Sequence, residues 1–206
     1  ISTPHIASPD VIVDSSNKLI LMYFHGLESA GNQVSRLASS DNGISFRARS
    51  AILGRTYMRV FKYEDETYAL SMPGQVYKSV NGQDDFIEGP LLFNSNMRHS
   101  AVLVRDDVLL VFWTQVGDIP ESILLSRIDL TSHWMDWQAE DAIELLRPEF
   151  DWEGANAPLV PSVRSTAYGH VNQLRDPAIL ANNDEVFLYY AIAGESGIAV
   201  VKIEID

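Results

Sequence analysis

Residues 100–114 read SAVLVRDDVLLVFWT, two apolar runs separated by Arg105, Asp106 and Asp107. Short runs rich in β-branched and aromatic residues are typical of strands, and the polar turn between them predicts a β-hairpin. The same arrangement occurs three more times, at residues 10–24, 59–72 and 177–191. The chain therefore repeats one hairpin four times.

A third predicted strand follows each hairpin after a polar loop, at residues 33–39, 76–79, 123–128 and 198–203. Three of these loops contain a Glu-Ser pair, at residues 28–29, 121–122 and 195–196. Repeated antiparallel units of about forty residues or more are typical of a β-propeller. A β-sandwich is the alternative, but it does not predict a repeated loop motif. We expect one all-β propeller domain over residues 1–206, with units at roughly 5–50, 57–93, 97–147 and 172–206.

Two kinds of segment lie outside these three-strand units. Aromatic-containing edge segments are predicted at residues 45–46, 85–86 and 134–137, which gives the first three units a fourth strand. The segment of residues 149–172 shows little alternation and separates the third unit from the fourth. Loops of this length are often lids or binding loops, so we expect a functional role for it.

The composition restricts the classes of partner. The 28 acidic and 15 basic residues give a formal charge of −13, which disfavours a nucleic-acid partner. The longest apolar runs are too short to cross a bilayer, so no membrane partner is expected. The absence of cysteine excludes disulfides, thiolate metal sites and cysteine nucleophiles. The compartment stays open, with a periplasmic or secreted location favoured.

Polar residues concentrate at the starts of the first strands and the ends of the second strands, which lie on one face of a propeller. The candidates for ligand binding there are His5, His25, Arg59, Arg98, His99, His170 and Arg175, and the candidate catalytic carboxylates are Asp10, Glu121 and Asp176. We expect these side chains to surround the central axis of the propeller. Arginines at three equivalent strand starts favour an anionic ligand, because guanidinium groups match carboxylate or sulfate.

Several of these features also have a purely structural interpretation. Asp10 and Asp176 could cap turns before strands, and a Glu-Ser pair that recurs in several blades is more often structural than catalytic. Residues 39–46, SSDNGISF, match the S-x-D-x-G-x-x-[WF] pattern of an Asp box, a turn stabilised by Ser and Asp side chains. We interpret it as structural, with residues 78–82 as a degenerate second copy.

The residues around Asp10 and Asp176 resemble a known family. Residues 4–11, PHIASPDV, followed by KLILMYF at 18–24, resemble the "A-P-D-V … Y-Y-L-Y-Y-S" blade of five-bladed propeller glycosidases, namely glycoside hydrolase families 43, 32, 117 and 130. LRDPA at residues 174–178 with VFLYY at 186–190 resembles their "R-D-P … Y-L-Y-Y" blade, and IEGP at 87–90 resembles the E-G-P element that carries the acid in family 43.

The resemblance implies a funnel in which carboxylates surround a glycosidic bond. Asp10 matches the aspartate that orients or tunes the acid; Glu88 matches the acid by motif and Glu121 by location, and Glu121 is preferred. The resemblance also implies five blades, whereas four units are counted, so the N-terminal blade that supplies the base or nucleophile is expected to be absent. No metal site or cofactor is expected, although some relatives hold a divalent ion such as calcium in the channel.

Three functions remain open from the sequence. The first is a glycoside hydrolase that acts on a glycan through a carboxylate pair, with Trp113, Trp152 or Tyr168 as sugar-stacking candidates. The second is a non-catalytic or degenerate glycan-binding propeller that lacks the blade with the base. The third, a structural or protein-binding propeller, is disfavoured by the histidines and arginines. An exposed edge where a blade is missing predicts a homodimer.

Overall fold

Each sequence repeat forms one antiparallel sheet, because its alternating apolar residues can bury one face of each strand while short polar turns reverse the chain. The computed structural model describes residues 5–28, 31–167, 169–182 and 185–205. Blade 1 contains β1 (Ile6–Asp14), β2 (Leu19–Leu27), β3 (Gln33–Ser40) and β4 (Arg47–Ala48). Blade 2 contains β5 (Arg59–Tyr63), β6 (Glu66–Ser71), β7 (Gln75–Ser79) and β8 (Ile87–Leu91). Blade 3 contains β9 (Met97–Arg105), β10 (Val108–Gln115), β11 (Ile123–Asp129) and β12 (Ile143–Leu146). Blade 4 contains β13 (Arg175–Asn182), β14 (Glu185–Ile192) and β15 (Gly197–Ile203).

The fold is an all-β propeller with four blades, which confirms the predicted fold class and the four repeats. Within residues 5–28, 31–167, 169–182 and 185–205 four sheets are present, and the fifth blade implied by the resemblance is not among them. Among the residues described, no helix is long and apolar enough to cross a membrane.

All three predicted edge segments lie before the observed fourth strands: residues 45–46 and 85–86 directly precede β4 and β8, and residues 134–137 lie well before β12. Residues 134–137 were expected to form the outer strand of blade 3, but Trp134–Asp136 is a short 3-10 helix and β12 is the edge strand. Trp137 explains the difference, because it is 3% exposed and its Nε1 donates a hydrogen bond to the carbonyl of Ser132. Burial of the indole ring competes with strand pairing at this position.

The chain divides into two compact units, Ile1–Leu92 and Phe93–Asp206, with two blades in each. The core of unit 1 combines Leu21, Tyr23 and Leu37 of blade 1 with Val60 and Ala69 of blade 2. The core of unit 2 is built in the same way, from Leu110, Phe112 and Ile123 of blade 3 and Leu188 and Tyr190 of blade 4. In each unit the apolar faces of neighbouring sheets therefore bury one another.

The same β-bulge, in which two residues lie opposite one residue of the second strand, occurs in the first strand of blades 1, 3 and 4 and directly before β5 in blade 2. In blades 1, 3 and 4 the bulge appears as a shift in the register of the first two strands. In blade 2, Arg59 pairs with Leu70, and the Met72 N–H donates a hydrogen bond to the Thr56 carbonyl. Three residues along the first strand therefore correspond to two along the second, which is the same bulge. The first bulged residue has a positive φ in each case: Ser8 (51°), Tyr57 (56°), His99 (44°) and Asp176 (45°). We call these four the bulge residues.

The bulge corrects the expected equivalence of the three arginines. Arg98 and Arg175 directly precede their bulge residues, whereas Arg59 comes two positions after Tyr57. By register, Arg59 therefore corresponds to Asp10 and not to the other two arginines. The comparison of the repeats missed this difference because the sequence does not show where a bulge lies, and so does not show that Arg59 follows its bulge while Arg98 and Arg175 precede theirs.

Two Ser-x-Asn-Gly turns connect the third and fourth strands of blades 1 and 2 in unit 1. Ser40 Oγ accepts a hydrogen bond from the Gly43 N–H, and Asn42 Oδ1 accepts from the N–H groups of residues 44 and 45. Ser79 and Asn81 accept the equivalent hydrogen bonds in the second turn. The degenerate second copy is thus confirmed, but the side chain that closes the turn is Asn42, where the Asp-box pattern predicted Asp41.

Blades 1 and 4 each expose apolar residues on one face. Val11 and Val13 of β1 are 55% and 69% exposed, and Ile198 and Val200 of β15 are 79% and 51% exposed. The predicted homodimer through an incomplete edge stays a prediction.

Candidate functional site

Two arginines of unit 2 share the buried carboxylate of Glu121. Nε and Nη2 of Arg98 donate to the two Glu121 oxygens over 2.9 and 2.5 Å. Nε of Arg175 lies 3.3 Å from Glu121 Oε2. The side chains of Arg175 and Glu121 are 0% exposed and that of Arg98 is 4% exposed. Both oxygens of Glu121 are therefore engaged inside the protein, whereas a general acid must reach the leaving oxygen of its substrate.

The same arginines hold the segment of residues 149–172. Nη1 of Arg98 donates to the carbonyl of Val163 over 3.2 Å, and Nη1 of Arg175 donates to the carbonyl of Ser165 over 2.8 Å. Nε and Nη2 of Arg175 also donate to Gln173 Oε1. These guanidinium groups, expected to bind an anionic ligand, are directed at oxygens of the protein itself.

Arg59 in unit 1 makes the same kind of contact. Its Nη1 lies 3.1 and 3.4 Å from the carbonyl oxygens of Ser8 and Pro9, to which it donates. These carbonyls belong to the bulge of blade 1, so Arg59 supports the strand whose geometry places Asp10.

Asp176 is an accessible carboxylate of unit 2. It is the bulge residue of blade 4, and its side chain is 44% exposed. Its Oδ1 lies 3.5 Å from Nδ1 of His99, the bulge residue of blade 3, whose side chain is 8% exposed. A left-handed backbone costs about 1 kcal/mol or more at residues other than glycine, and such strain is often found at functional sites.

An open cavity of about 410 Å³ in unit 2 is bordered by Asp176 and Glu195. Tyr189, Tyr190 and Ser196 also line it. Oε1 of Glu195 accepts a hydrogen bond from Arg175 Nη1 over 3.1 Å, and its side chain is 28% exposed. The volume lies in the usual range of small-molecule sites, and the wall combines aromatic and apolar surface with a few polar groups.

In unit 1, Asp10 is a half-buried carboxyl group two residues after the bulge residue Ser8. Its Oδ2 accepts a hydrogen bond from the N–H of Val60 over 2.8 Å. Burial raises the pKa of Asp10, against the opposing effects of the Arg59 guanidinium and the Val60 hydrogen bond. A carboxyl group that keeps its proton to higher pH has the property that a general acid requires.

His5 and His25 lie side by side in unit 1, with ring centroids 6.1 Å apart. His25 is 2% exposed and its ring lies 4.6 Å from that of Tyr57, the bulge residue of blade 2. His5 Nε2 is 3.3 Å from Gln33 Nε2. Burial and the positive charges of His5 and Arg59 lower the pKa of His25 to about 4. His25 is therefore neutral near pH 7.

The glutamates of the three Glu-Ser loops share one feature, an arginine partner in the same unit. The pairs are Glu28 with Arg36, Glu121 with Arg98 and Glu195 with Arg175. The partners are 8, 23 and 20 residues apart in the chain. No short motif reveals pairs at such separations, and their recurrence supports a structural role for the ion pair. Glu195 differs in that it also lines the cavity of unit 2.

The other predicted positions are peripheral or lie outside the description. His170 is exposed in the segment before blade 4. Glu88 is exposed on the edge strand β8, where Arg55 Nη2 donates to it over 3.3 Å. Trp113 is 4% exposed and belongs to the core of blade 3, and Tyr168 lies outside the described residues.

Sequence reasoning missed one buried glutamate. Glu153 is 3% exposed and follows Trp152 in the segment between β12 and β13. Its Oε2 accepts hydrogen bonds from the N–H groups of Glu149 and Phe150, and its Oε1 accepts one from the hydroxyl of Tyr190. The signal available in the sequence was the Glu-Gly pair in this loop. Glycine is favoured where the backbone turns with a positive φ, and Gly154 does so with a φ of 93°.

Metal binding has little support in the part of the chain that the structure describes. Its histidine, aspartate and glutamate side chains include no group of three or more that could hold a metal ion. No step below depends on a metal ion.

Comparison with known proteins identifies the fold. No family model matches the chain. An uncharacterized protein of Acanthamoeba polyphaga mimivirus is 35% identical over 217 residues, which span 96% of this chain and 61% of that protein's length. A thermostable family-43 glycoside hydrolase superposes with a TM-score of 0.71 at 13% identity, over 98% of this chain and 70% of that one.

Two further solved structures agree with this result. An α-L-arabinanase from Cellvibrio cellulosa, solved with arabinohexaose, has a TM-score of 0.66 at 11% identity, over 98% of this chain and 75% of that one. An endo-1,4-β-xylanase from Bacteroides thetaiotaomicron has a TM-score of 0.66 at 16% identity, over 96% and 67%. The chain has the fold of the family-43 and related propeller glycoside hydrolases.

Proposed function

We propose that this chain acts on a glycan as a glycoside hydrolase, with the cavity of unit 2 as its sugar-binding site and Asp176 as a catalytic carboxylate. The observation that carries the proposal is the position of Asp176, an exposed carboxylate at a strained bulge on the wall of that cavity. The fold shared with glycoside hydrolases supports the choice of substrate class.

Hydrolysis of a glycosidic bond requires two carboxyl groups, one to protonate the leaving oxygen and one to activate water or attack the sugar. Asp176 and Glu195 line the same cavity and supply such a pair within unit 2. We assign Glu121 a positioning role, different from the acid expected from the sequence, because it is buried between Arg98 and Arg175. Asp10 stays a catalytic candidate on the strength of its raised pKa.

A non-catalytic glycan-binding propeller is the second candidate. It is favoured by Glu121, because the carboxylate preferred as the acid from the sequence is fully enclosed. The chain spans 61% of the length of its mimivirus relative. We therefore propose the activity for this chain and do not transfer one from the relative. In this version Asp176 and Glu195 accept hydrogen bonds from sugar hydroxyls without breaking the glycosidic bond.

The test measures hydrolysis and binding on the same samples, with aryl glycosides, sialosides, arabinan and xylan as substrates. We expect D176N and E195Q each to lower the turnover of a hydrolysed substrate by at least a hundredfold. E185Q is the matched control, since Glu185 forms an exposed pair with Lys202. Binding without hydrolysis would select the second candidate, and unchanged hydrolysis by D176N would overturn the assignment of Asp176.

A further inference from the structure

We propose that Phe150 and Trp152 form an aromatic platform that binds a neutral sugar ring and extends the cavity of unit 2. This inference rests on the proposed function, because it assigns a second contact to the same glycan. It also gives the segment between β12 and β13 a defined role.

The geometry of the two rings is that of a preformed surface. Their planes are 5° from parallel and their centroids lie 5.3 Å apart, which is an offset stack. Phe150 is 55% exposed and Trp152 is 52% exposed, although aromatic side chains of this size are usually buried. Contiguous exposed aromatic surface of this kind commonly marks a binding site.

Glu153 holds the platform rigidly. Its carboxylate accepts hydrogen bonds from the N–H groups of Glu149 and Phe150, and the Phe150 carbonyl accepts one from the Glu153 N–H over 2.9 Å. Gly154 then turns the chain with a φ of 93°, and a Cβ atom there would lie 2.1 Å from the carbonyl oxygen of Val171. A platform ordered before binding loses little conformational entropy when a ligand arrives.

The platform is connected directly to the cavity. Tyr190 lines the cavity and donates its hydroxyl to Glu153 Oε1 over 2.8 Å. The N–H of Ala193, the residue that follows β14, donates to the Glu153 carbonyl over 3.0 Å. Glu153 thus contacts both the base of the platform and a residue of the cavity wall, and we place the platform beside the cavity as a second contact for the same glycan.

The chemistry around the rings favours a neutral sugar. Glu149 and Asp151 are exposed and alternate with the two aromatic residues in the chain, so carboxylates flank the apolar surface. A sugar ring offers C–H groups to an aromatic face and hydroxyl donors to carboxylates. These carboxylates and the formal charge of −13 would repel a sulfated or carboxylated glycan.

The experiment is titration calorimetry of the full chain with arabinohexaose and xylohexaose. We expect F150A and W152A each to raise the dissociation constant about five- to tenfold, from lost stacking and apolar contact. W152F keeps an aromatic ring and should stay within about twofold of the wild type. W134A is the matched control, because Trp134 is a half-buried tryptophan of a different short helix.

The outcomes separate this inference from the proposed function. Equal dissociation constants for the wild type and W152A would overturn the platform and leave the proposed function intact. Failure of the wild type to bind either probe, with no hydrolysis in the substrate panel, would overturn both. A change from dimer to monomer in W152A, seen by light scattering, would assign the rings to contact between copies of this chain and overturn the sugar platform.

Discussion

Arg98 and Glu121 face each other through two parallel hydrogen bonds, Nε to Oε1 at 2.9 Å and Nη2 to Oε2 at 2.5 Å, with both side chains buried. The pair joins β9 to the loop after β10, and through Arg98 Nη1 it also reaches the carbonyl of Val163. A buried pair of this kind must be complete, since a single remaining charge would be desolvated without compensation.

We expect E121Q to lower the free energy of unfolding by about 3–5 kcal/mol, because it leaves the buried Arg98 without its counter-charge and Arg175 with Glu195 alone. The measurement is urea denaturation followed by circular dichroism. E185Q breaks an exposed pair with Lys202 and should cost less than about 1 kcal/mol. Equal midpoints for E121Q and E185Q would contradict the importance of the buried network.

The peptide bond between Arg164 and Ser165 provides a local probe of the same network, because Arg98 and Arg175 bind the carbonyl oxygens of Val163 and Ser165. We expect R98K to increase trypsin cleavage after Arg164 by about tenfold, since local opening governs native proteolysis. Cleavage after Arg127 in β11 reports opening of the sheet and should stay slow. A parallel increase at both sites would show instead that the substitution unfolds the whole unit.

His25 predicts a pH dependence of stability. Its pKa is lowered to about 4 in the folded chain and is about 6.5 in an unfolded one, so the unfolded chain binds the proton first as the pH falls. The stability contributed by neutral His25 is present above pH 6.5 and is lost between about pH 6.5 and 4. Urea denaturation across this range should show a smaller loss for H25Q than for the wild type. H170Q, at an exposed position, should keep the wild-type slope.

The carboxyl group of Asp10 predicts a pH dependence of stability with the sign opposite to that of His25. Because burial raises its pKa above the unfolded value, the stabilising contribution is present at low pH and is lost as the pH rises through the folded pKa. Asn can still accept the Val60 hydrogen bond, so D10N should gain stability relative to the wild type as the pH rises from 4 to 7. D14N is the control with the reverse trend, because the side chain and backbone N–H of Asn17 lower the pKa of Asp14. If the stabilities of D10N and D14N changed with pH in the same direction relative to the wild type, the raised pKa of Asp10 would be refuted.

The repeat of apolar runs and polar turns was sufficient to predict the four blades. Strand period and turn chemistry are local properties, and the hairpin of residues 100–114 displays both. The Ser-x-Asn-Gly turns belong to the same class, since Ser40 and Asn42 bond to backbone within three residues. The edge strand of blade 3 was misplaced because burial of Trp137, a tertiary effect, decided the local structure.

The candidate site was only partly predictable. The sequence identified Asp176, Glu121, Arg98 and Arg175 as important, but the pairing of Glu121 with both arginines depends on contacts between distant strands. Arg59 lies after its β-bulge whereas Arg98 and Arg175 lie before theirs, and a bulge leaves no mark in composition. Likewise Phe150 and Trp152 are two residues apart in the chain, but the sequence does not show that their rings stack in parallel or that the buried carboxylate of Glu153 accepts a hydrogen bond from the Phe150 N–H.

The sequence alone determined the all-β repeat, the absence of thiol chemistry and the acidic charge, because each follows from local pattern or from composition. Only the tertiary structure decided which carboxylates are accessible and which arginines are already occupied. Burial and ion pairing depend on residues that are distant in the chain and close in the fold. Glu121 is enclosed because Arg98 and Arg175 pack against it, whereas Asp176 stays 44% exposed.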